Sequence, residues 1–457
     1  MKPTEKSLLQ QLTEYHDDFL PMHMPGHKQN EAVLPAPFPF ALDVTEVDGF
    51  DNLHDMQGVL KKTAELAASL YGARASFPLV NGTTCGILAA IHALVPYGAH
   101  VLLARNCHKS VYNAVMLNGL YPHYLIPETT PHGIGGKITK ESVEKALMQD
   151  ERIALVVLTS PTYEGVVSDT EGISAVCKKY GVTLLVDAAH GAHLIDERIC
   201  RGADVAVMSL HKTMPALTQT ALLHIFSDCV DTKKIKEALS VFETSSPSYV
   251  LLSSIDECLR LVHTHGKALF DAFYKNLDAF YQKAQSCKNL FVTSYDDKSK
   301  ILIFTKNTNI SGTELLSRLR ENYHITLEMA DTDFALAMTS ICDSKESLDR
   351  LLDALLDIDK TLKKTKRDWA PSLTPHIPPL AHTPSQARLL DGTFVPVTDA
   401  VGLEALEYVF AYPPGIPLIA PGEIIDKRTV EAIETLIKSG IAPKSTEGAL
   451  PKIKVAK

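Results

Sequence analysis

The sequence predicts an α/β fold: a large domain on a mainly parallel sheet, a smaller α+β domain after it, and a C-terminal domain. Three observations predict it. Short continuous runs of Val, Leu and Ile alternate with amphipathic helical patterns, the suggestive polar clusters sit just after those runs, and beyond about residue 250 the texture changes. Apolar runs without period-two alternation read as strands buried on both faces, as in parallel sheets covered by helices. In such sheets ligands collect at the carboxyl ends of the strands.

The N-terminal MKPTEKSLLQQLTEYHDD places Leu at helical spacing among charges and lacks the continuous apolar stretch of a signal peptide. PMHMPGHKQN (21–30) and the Pro-rich VLPAPFPF follow, and Pro and Gly exclude regular structure there. Residues 1–57 are therefore an N-terminal arm. GVLKKTAELAASLY (58–71) repeats apolar residues at three and four and predicts an amphipathic helix. Apolar runs at 100–104, 153–158, 183–187 and 203–208 predict strands, with helices over 140–148 and 170–180 between them, so the large domain spans 58–250. A long helical stretch (251–284), runs at 301–304 and 334–339 and a helix over 347–361 form the smaller domain, 251–364. Residues 365–388 read as a Pro-rich linker, and 389–457 as the C-terminal domain.

Bulk properties narrow the function. At roughly 100 to 200 residues per domain, 457 residues suggest two or three domains. The 54 acidic and 45 basic side chains are scattered, without the basic stripe that nucleic acid would require. No run approaches the 18 or so apolar residues of a membrane span. Cys85, Cys107, Cys177, Cys200, Cys229, Cys258, Cys287 and Cys342 stand far apart, with no C-x-x-C pair and no His–Cys cluster at metal-ligand spacing. That usage fits reduced thiols and no metal, so the expectation is a soluble, cytoplasmic protein that binds neither nucleic acid nor membrane.

Four polar clusters carry the chemistry. In NGTTCGILAAIHAL (81–94) a Gly-Thr-Thr turn opens an apolar helix, which is a plain N-cap or an anion site made of N–H groups and hydroxyls. RNCHKS (105–110) follows a strand, where a histidine is commonly a surface or capping residue. In LLVDAAHGAH (184–193) Asp187 ends a buried run; it is either a loop ion pair or cap, or a carboxylate facing a cation. SLHKTMPALTQ (209–219) sets a hydroxyl, an imidazole and an amine within four residues, one strand after Asp187. A phosphate cradle, a stacking imidazole, a buried carboxylate and a lysine together are what pyridoxal 5'-phosphate requires. The lysine forms a Schiff base, the carboxylate keeps the pyridine nitrogen protonated, and the helix start binds phosphate.

The ordered set HMPGHK, NGTT, NCHKS, SPTYEGV, VDAAHGAH, SLHKTMPALTQ, TSSPSY and YPPGIPLIAPGE, from about residue 20 to 430, resembles the bacterial ornithine/lysine/arginine decarboxylases. These are fold type I, aspartate-aminotransferase-like enzymes that use pyridoxal 5'-phosphate. The resemblance implies a large cofactor domain at 58–250 and a C-terminal decarboxylase domain at 389–457. It implies Lys212 as the Schiff-base lysine, Asp187 as partner of the pyridine nitrogen, His108 stacked on the ring, and His190 beside the ring near the substrate. Gly82, Thr83, Thr84, Thr162, Ser209 and His211 would complete the cofactor site, with Ser245 reaching in from a second subunit. Glu423 of APGE, also contributed across a dimer interface, would meet the substrate's distal cation or move a proton. Glu46, Asp48 and Asp51 are further candidates for that cation.

Two departures are visible. The family places an acidic residue after the strand-end aspartate, where this chain has Ala188, and the chain starts almost directly at HMPGHK, like a short form without a receiver-like domain. The implied reaction is decarboxylation of a basic amino acid, arginine before lysine or ornithine, to a polyamine-pathway amine and CO2, in a homodimer or higher homo-oligomer. An aminotransferase or a lyase on the same fold is the runner-up, with Arg318, Arg320 and Arg350 available to hold an α-carboxylate. A non-catalytic regulatory relative is the third reading.

Overall fold

The structure is a computed structural model that describes residues 6–18, 22, 24–25, 28–29, 38–195, 199–365, 376–411, 416–438, 443–448 and 450–457. His23, Gly26 and His27 of HMPGHK and residues 412–415 of the YPPG motif lie outside the described residues, as do 366–375 of the Pro-rich segment. The chain forms two compact units: Met1–Leu94 with Ala188–Asp271, and Val95–Asp187 with Ala272–Lys457.

Numbered along the chain, the first unit holds α1 (Leu8–Asp18), α2 (Val59–Tyr71), β1 (Ala75–Leu79) and α3 (Gly82–Leu94). It then holds β6 (Val205–Ser209), α7 (Leu210–Thr213), β7 (Ala221–Ile225) and α8 (Thr232–Phe242), and α9 (Tyr249–Ala284) starts in it. The predicted helix 58–71 forms as α2 and stops at Gly72, whose φ of 65° ends the helix in the left-handed conformation that glycine adopts freely. β7 pairs antiparallel with β1 (Ala75↔Ile225 to Leu79↔Ala221) and with β6 (Val205↔Ile225 to Ser209↔Ala221). β1 and β6 therefore point the same way and β7 is reversed. The connection after α7 is too short for the crossover that a parallel neighbour requires. α3 packs closely on β1 and β6. A Cβ at Gly86 would stand 2.7 Å from Leu79 Cδ1 and 2.8 Å from Val207 Cγ1, so NGTTCG needs its second glycine for packing.

The second unit opens with β2 (His100–Ala104), α4 (Lys109–Leu117), β3 (Tyr121–Leu125), α5 (Lys140–Gln149), β4 (Ile153–Thr159), α6 (Thr170–Tyr180) and β5 (Thr183–Asp187). Its strands run in the order β5-β4-β2-β3, all parallel. β2, β4 and β5 are apolar and nearly all buried, as their unbroken runs predict. Caps set the helices: Thr139 accepts from Ser142 N–H at α5, and Asp169 from Gly172 N–H at α6.

β8 (Phe291–Thr293), β9 (Lys300–Phe304), α10 (Gly312–Tyr323), β10 (Met329–Ala330), β11 (Phe334–Met338) and α11 (Lys345–Thr361) follow. Their four strands form an antiparallel sheet in the order β10-β11-β9-β8, over a core that includes Phe280, Ile301, Leu315 and Leu355. After α12 (Pro384–Ala387), β12 (Gly392–Pro396), β13 (Val409–Ala411), β14 (Ile416–Ile419), α13 (Lys427–Lys438), β15 (Lys444–Ser445) and β16 (Lys452–Ala456) enclose a separate core around Val409, Ile419, Ile433 and Val455.

Candidate active site

In the first unit the site is built at the end of β6. Ser209, its last residue, is fully buried, and the chain turns at once into the single turn α7 that carries His211 and Lys212. Backbone bonds from Ala188 N–H to Val207 (2.9 Å) and from Ser209 N–H to Ala189 (3.3 Å) zip the segment 188–189 along β6. This brings the buried His190 beside α7, with its Nε2 3.0 Å from Lys212 Nζ. That distance is within hydrogen-bond reach of the amine. Ala188, where the family places an acid, is fully buried.

The N-terminus of α3 meets the same turn. Gly82, with φ of 72°, donates its N–H to Gln219 O at 2.8 Å, and Thr83 Oγ1 lies 3.4 Å from Ser209 Oγ. Gln219 itself has φ of 80°, an unusual conformation for a residue with a side chain. It lies in the loop that joins α7 to β7, and its carbonyl ties that loop to the start of α3. Two hydroxyls beside a helix N-terminus are a donor set suited to a phosphate dianion. Thr84 is exposed on the same turn.

His211 is constrained. Its Nδ1 lies 2.9 Å from Thr220 O, and since a carbonyl only accepts, Nδ1 carries the proton. Burial pulls this imidazole below its usual range, the Thr220 bond opposes that, and the neighbouring Lys212 charge adds to the fall. The neutral ring then offers Nε2 as an acceptor, and only the imidazolium could donate to an anion. Ser245 is exposed, while the adjoining Glu243 accepts from Val80 N–H (2.7 Å) and Thr244 donates to Asn81 Oδ1 (3.3 Å). The TSSPSY segment is thus tied beside the start of α3 of its own chain.

In the second unit the remaining predicted residues follow the carboxyl ends of parallel strands. Asp187 ends β5, is 2% exposed, lies in register with Thr159 of β4 and accepts from Ser160 N–H through its carbonyl at 3.0 Å. Thr162, buried just after β4, accepts from Val166 N–H at 3.2 Å. His108, after β2, is the half-buried N-cap of α4, accepting from Ser110 N–H through Nδ1. Capping with Nδ1 fixes the ring plane.

Glu423 requires a correction. It is fully buried, and its two oxygens take a fork from Arg105 (2.5 and 2.9 Å) and the N–H of Ala420 (2.8 Å). Burial alone would lower the Arg105 pKa, but the Glu423 charge outweighs it and raises it above the ordinary range. Arg105 is further held by the Tyr124 ring at 4.7 Å. A carboxylate sealed in this way cannot meet a substrate cation across an interface, because leaving Arg105 unpaired in the interior is prohibitive. Asp51 drops out as well, since its carboxylate caps α2 by accepting from Gly58 (2.6 Å) and Leu60 (3.1 Å) N–H. Glu46 and Asp48 remain, lining an open groove with Glu14, Tyr15 and Asp18.

Sequence reading missed Arg105, Gln219 and Thr220. Arg105 had a signal: a guanidinium directly after a buried strand demands a buried partner. Gln219 and Thr220 had none, because their contributions are backbone carbonyls. Of the arginines available to an aminotransferase, Arg318 pairs with Glu314 at 2.6 Å and Arg350 donates to the carbonyls of Tyr323 and His324.

Comparison with known proteins identifies the lineage. The major domain of the Orn/Lys/Arg decarboxylases matches residues 6–349. The chain belongs to the Orn/Lys/Arg decarboxylase family. The C-terminal domain of the same family matches residues 376–439. An arginine decarboxylase of Halalkalibacterium halodurans is 32% identical over 450 residues, covering 93% of this chain and 92% of the relative. The Francisella novicida lysine decarboxylase LdcF superposes with a TM-score of 0.85 at 19% identity, covering 99% of this chain and 81% of that one. An alanine–glyoxylate aminotransferase of Nostoc superposes at 0.55 and 17% identity over 65% of this chain and 86% of that one, placing the decarboxylase within the fold type I class. Pyridoxal phosphate is the cofactor of this family and fold.

Proposed function

We propose that this family member decarboxylates arginine in preference to lysine or ornithine, with pyridoxal phosphate carried covalently on Lys212. The observation that carries the reading is the Lys212 amine at the end of β6, 3.0 Å from the buried imidazole of His190. The substrate preference rests on the arginine decarboxylase that matches along nearly its whole length.

Bound pyridoxal phosphate supplies the electron sink that makes breaking the Cα–carboxylate bond feasible. The chain does the rest. Lys212 is the nucleophile, and His190 Nε2 can take a proton from its Nζ so that the amine is reactive at neutral pH. Asp187 would hold a proton on the pyridine nitrogen, His108 would press on the ring, and Thr162 would bond at its edge. Thr83, Thr84 and Ser209, with the N–H groups of α3 and with Ser245 contributed by a second subunit, would receive the phosphate. Burial of Ser209, His190 and Asp187 keeps water from competing. The separate cores of the small sheet and of the C-terminal strands support the division into large, small and C-terminal domains. A homodimer or higher homo-oligomer in the cytoplasm completes the reading; no helix of the described residues is long and apolar enough to cross a membrane.

The test is amine and CO2 release from arginine, lysine and ornithine, with arginine expected to react fastest. Inactivity on all three overturns the substrate assignment, and keto-acid formation overturns the reaction. Lys212→Ala is expected to lose the visible absorbance of bound cofactor and roughly 10²–10⁴-fold in turnover, the range of a positioned catalytic group.

A further inference from the structure

At the opposite ends of the same parallel strands lies a second cluster. His100 is the first residue of β2 and sits in register with Tyr121 of β3, while His123 of β3 aligns with Leu102. Residues 121 and 123 share a face by the two-residue period of a strand, so both imidazoles project to one side. Asp150 caps the C-terminus of α5, three residues before β4 begins at Ile153. Strand register and the short α5–β4 turn thus bring a third donor to the two rings.

The donor atoms converge. His100 Nδ1 is 2.9 Å from His123 Nε2, and Asp150 Oδ2 is 3.8 Å from the first and 3.5 Å from the second. Ligands at about 2.0–2.2 Å from a tetrahedral zinc stand roughly 3.3–3.5 Å apart, so a sub-ångström adjustment seats an ion. All three residues are half-buried, and among the described residues they form the only group of His, Cys, Asp or Glu with this convergence. Asp150 is presently matched by Arg152, which forks onto it at 2.7 and 2.6 Å from an exposed position.

We propose that His100, His123 and Asp150 form a divalent transition-metal site, with zinc the preferred ion, at the amino-terminal edge of the parallel strands. Two neutral imidazoles and one carboxylate are zinc's ligand chemistry, with a fourth position left to water. Arg152 is the competing cation: binding of zinc displaces it from Asp150 into solvent. The site stands at the strand ends away from Asp187, so its occupancy is independent of the cofactor lysine.

The experiment loads the cofactor-bound, full-length protein with Zn²⁺, measures bound zinc after dialysis, and determines affinity by competition with a chromophoric chelator. The expected result is one zinc per chain beyond what the double variant His100→Gln/His123→Gln retains. His123→Gln alone should bind at least about tenfold more weakly, Lys212→Ala should bind as wild type does, and Arg152→Ala should bind more tightly. Cobalt in place of zinc should give visible bands that the double variant loses. Circular dichroism and cofactor absorbance identify any variant that fails to fold, in which case Arg152→Ala and the cobalt spectrum of wild type decide. Equal zinc in wild type and folded double variant, or none in wild type, overturns the site and leaves a plain imidazole–imidazole hydrogen bond.

Discussion

At the scale of single residues, burial decides what a charge can do. Glu423 and Arg105 are 318 positions apart in the chain and form a fully buried fork. Breaking such a pair leaves an uncompensated interior charge, so Glu423→Gln should cost about 3–5 kcal/mol of stability in denaturant unfolding. The double replacement Arg105→Met/Glu423→Leu should recover most of it. Had Glu423 met the substrate, the single variant would instead raise KM at unchanged stability. Of the carboxylates named from the sequence for the substrate's distal cation, Glu46 and Asp48 line an open groove together with Glu14 and Asp18. Glu46→Gln with Asp48→Asn should raise KM for arginine more than it lowers kcat, as measured in steady-state kinetics. An unchanged KM would remove both from the substrate site.

Between elements, one buried carboxyl ties the end of α8 to the start of α3. Glu243 accepts from Val80 N–H, and burial raises its pKa to about 7 against the backbone bonds that lower it. The folded chain therefore holds this proton more tightly than the unfolded chain. The resulting stabilisation is complete below the unfolded carboxyl's ordinary range near 4.5, and it declines as pH rises until the folded group ionises near 7. Glu243→Gln should flatten that decline and gain stability relative to wild type at pH 8 but not at pH 4, read from denaturant midpoints. The elements themselves were unevenly legible. β2, β5 and α6 form at their predicted residues because buried runs and caps are local signals. β1 and β3 went unpredicted because each carries a proline, Pro78 and Pro122, and each is the outer strand of its run, where a missing N–H is tolerated.

For the whole molecule, the scattered cysteines of the sequence stand as eight free thiols, of which Cys229 and Cys342 are exposed. Burial pushes Cys287 up to about 11 and Cys107 up to about 12, so both react slowly. Thiol titration of the native protein should show two fast groups, with the remaining six appearing on unfolding, and reductant should leave the melting temperature unchanged. A smaller total in denaturant would indicate disulfides.

The alternation of buried runs and helices, the lysine one strand beyond a strand-end aspartate, and the ordered motifs of the family are all determined by the sequence itself. They depend on periodicities and caps spanning a few residues, which any reader of the chain can count. Only the tertiary structure decided that Glu423 belongs to Arg105, that Asp51 belongs to a helix end, and that His100, His123 and Asp150 converge. A charge hundreds of residues from its partner carries no local mark of it. Whether it faces solvent, substrate or a buried counter-charge is set by which strands become neighbours and in what register, and that choice is made by the packing of the folded chain.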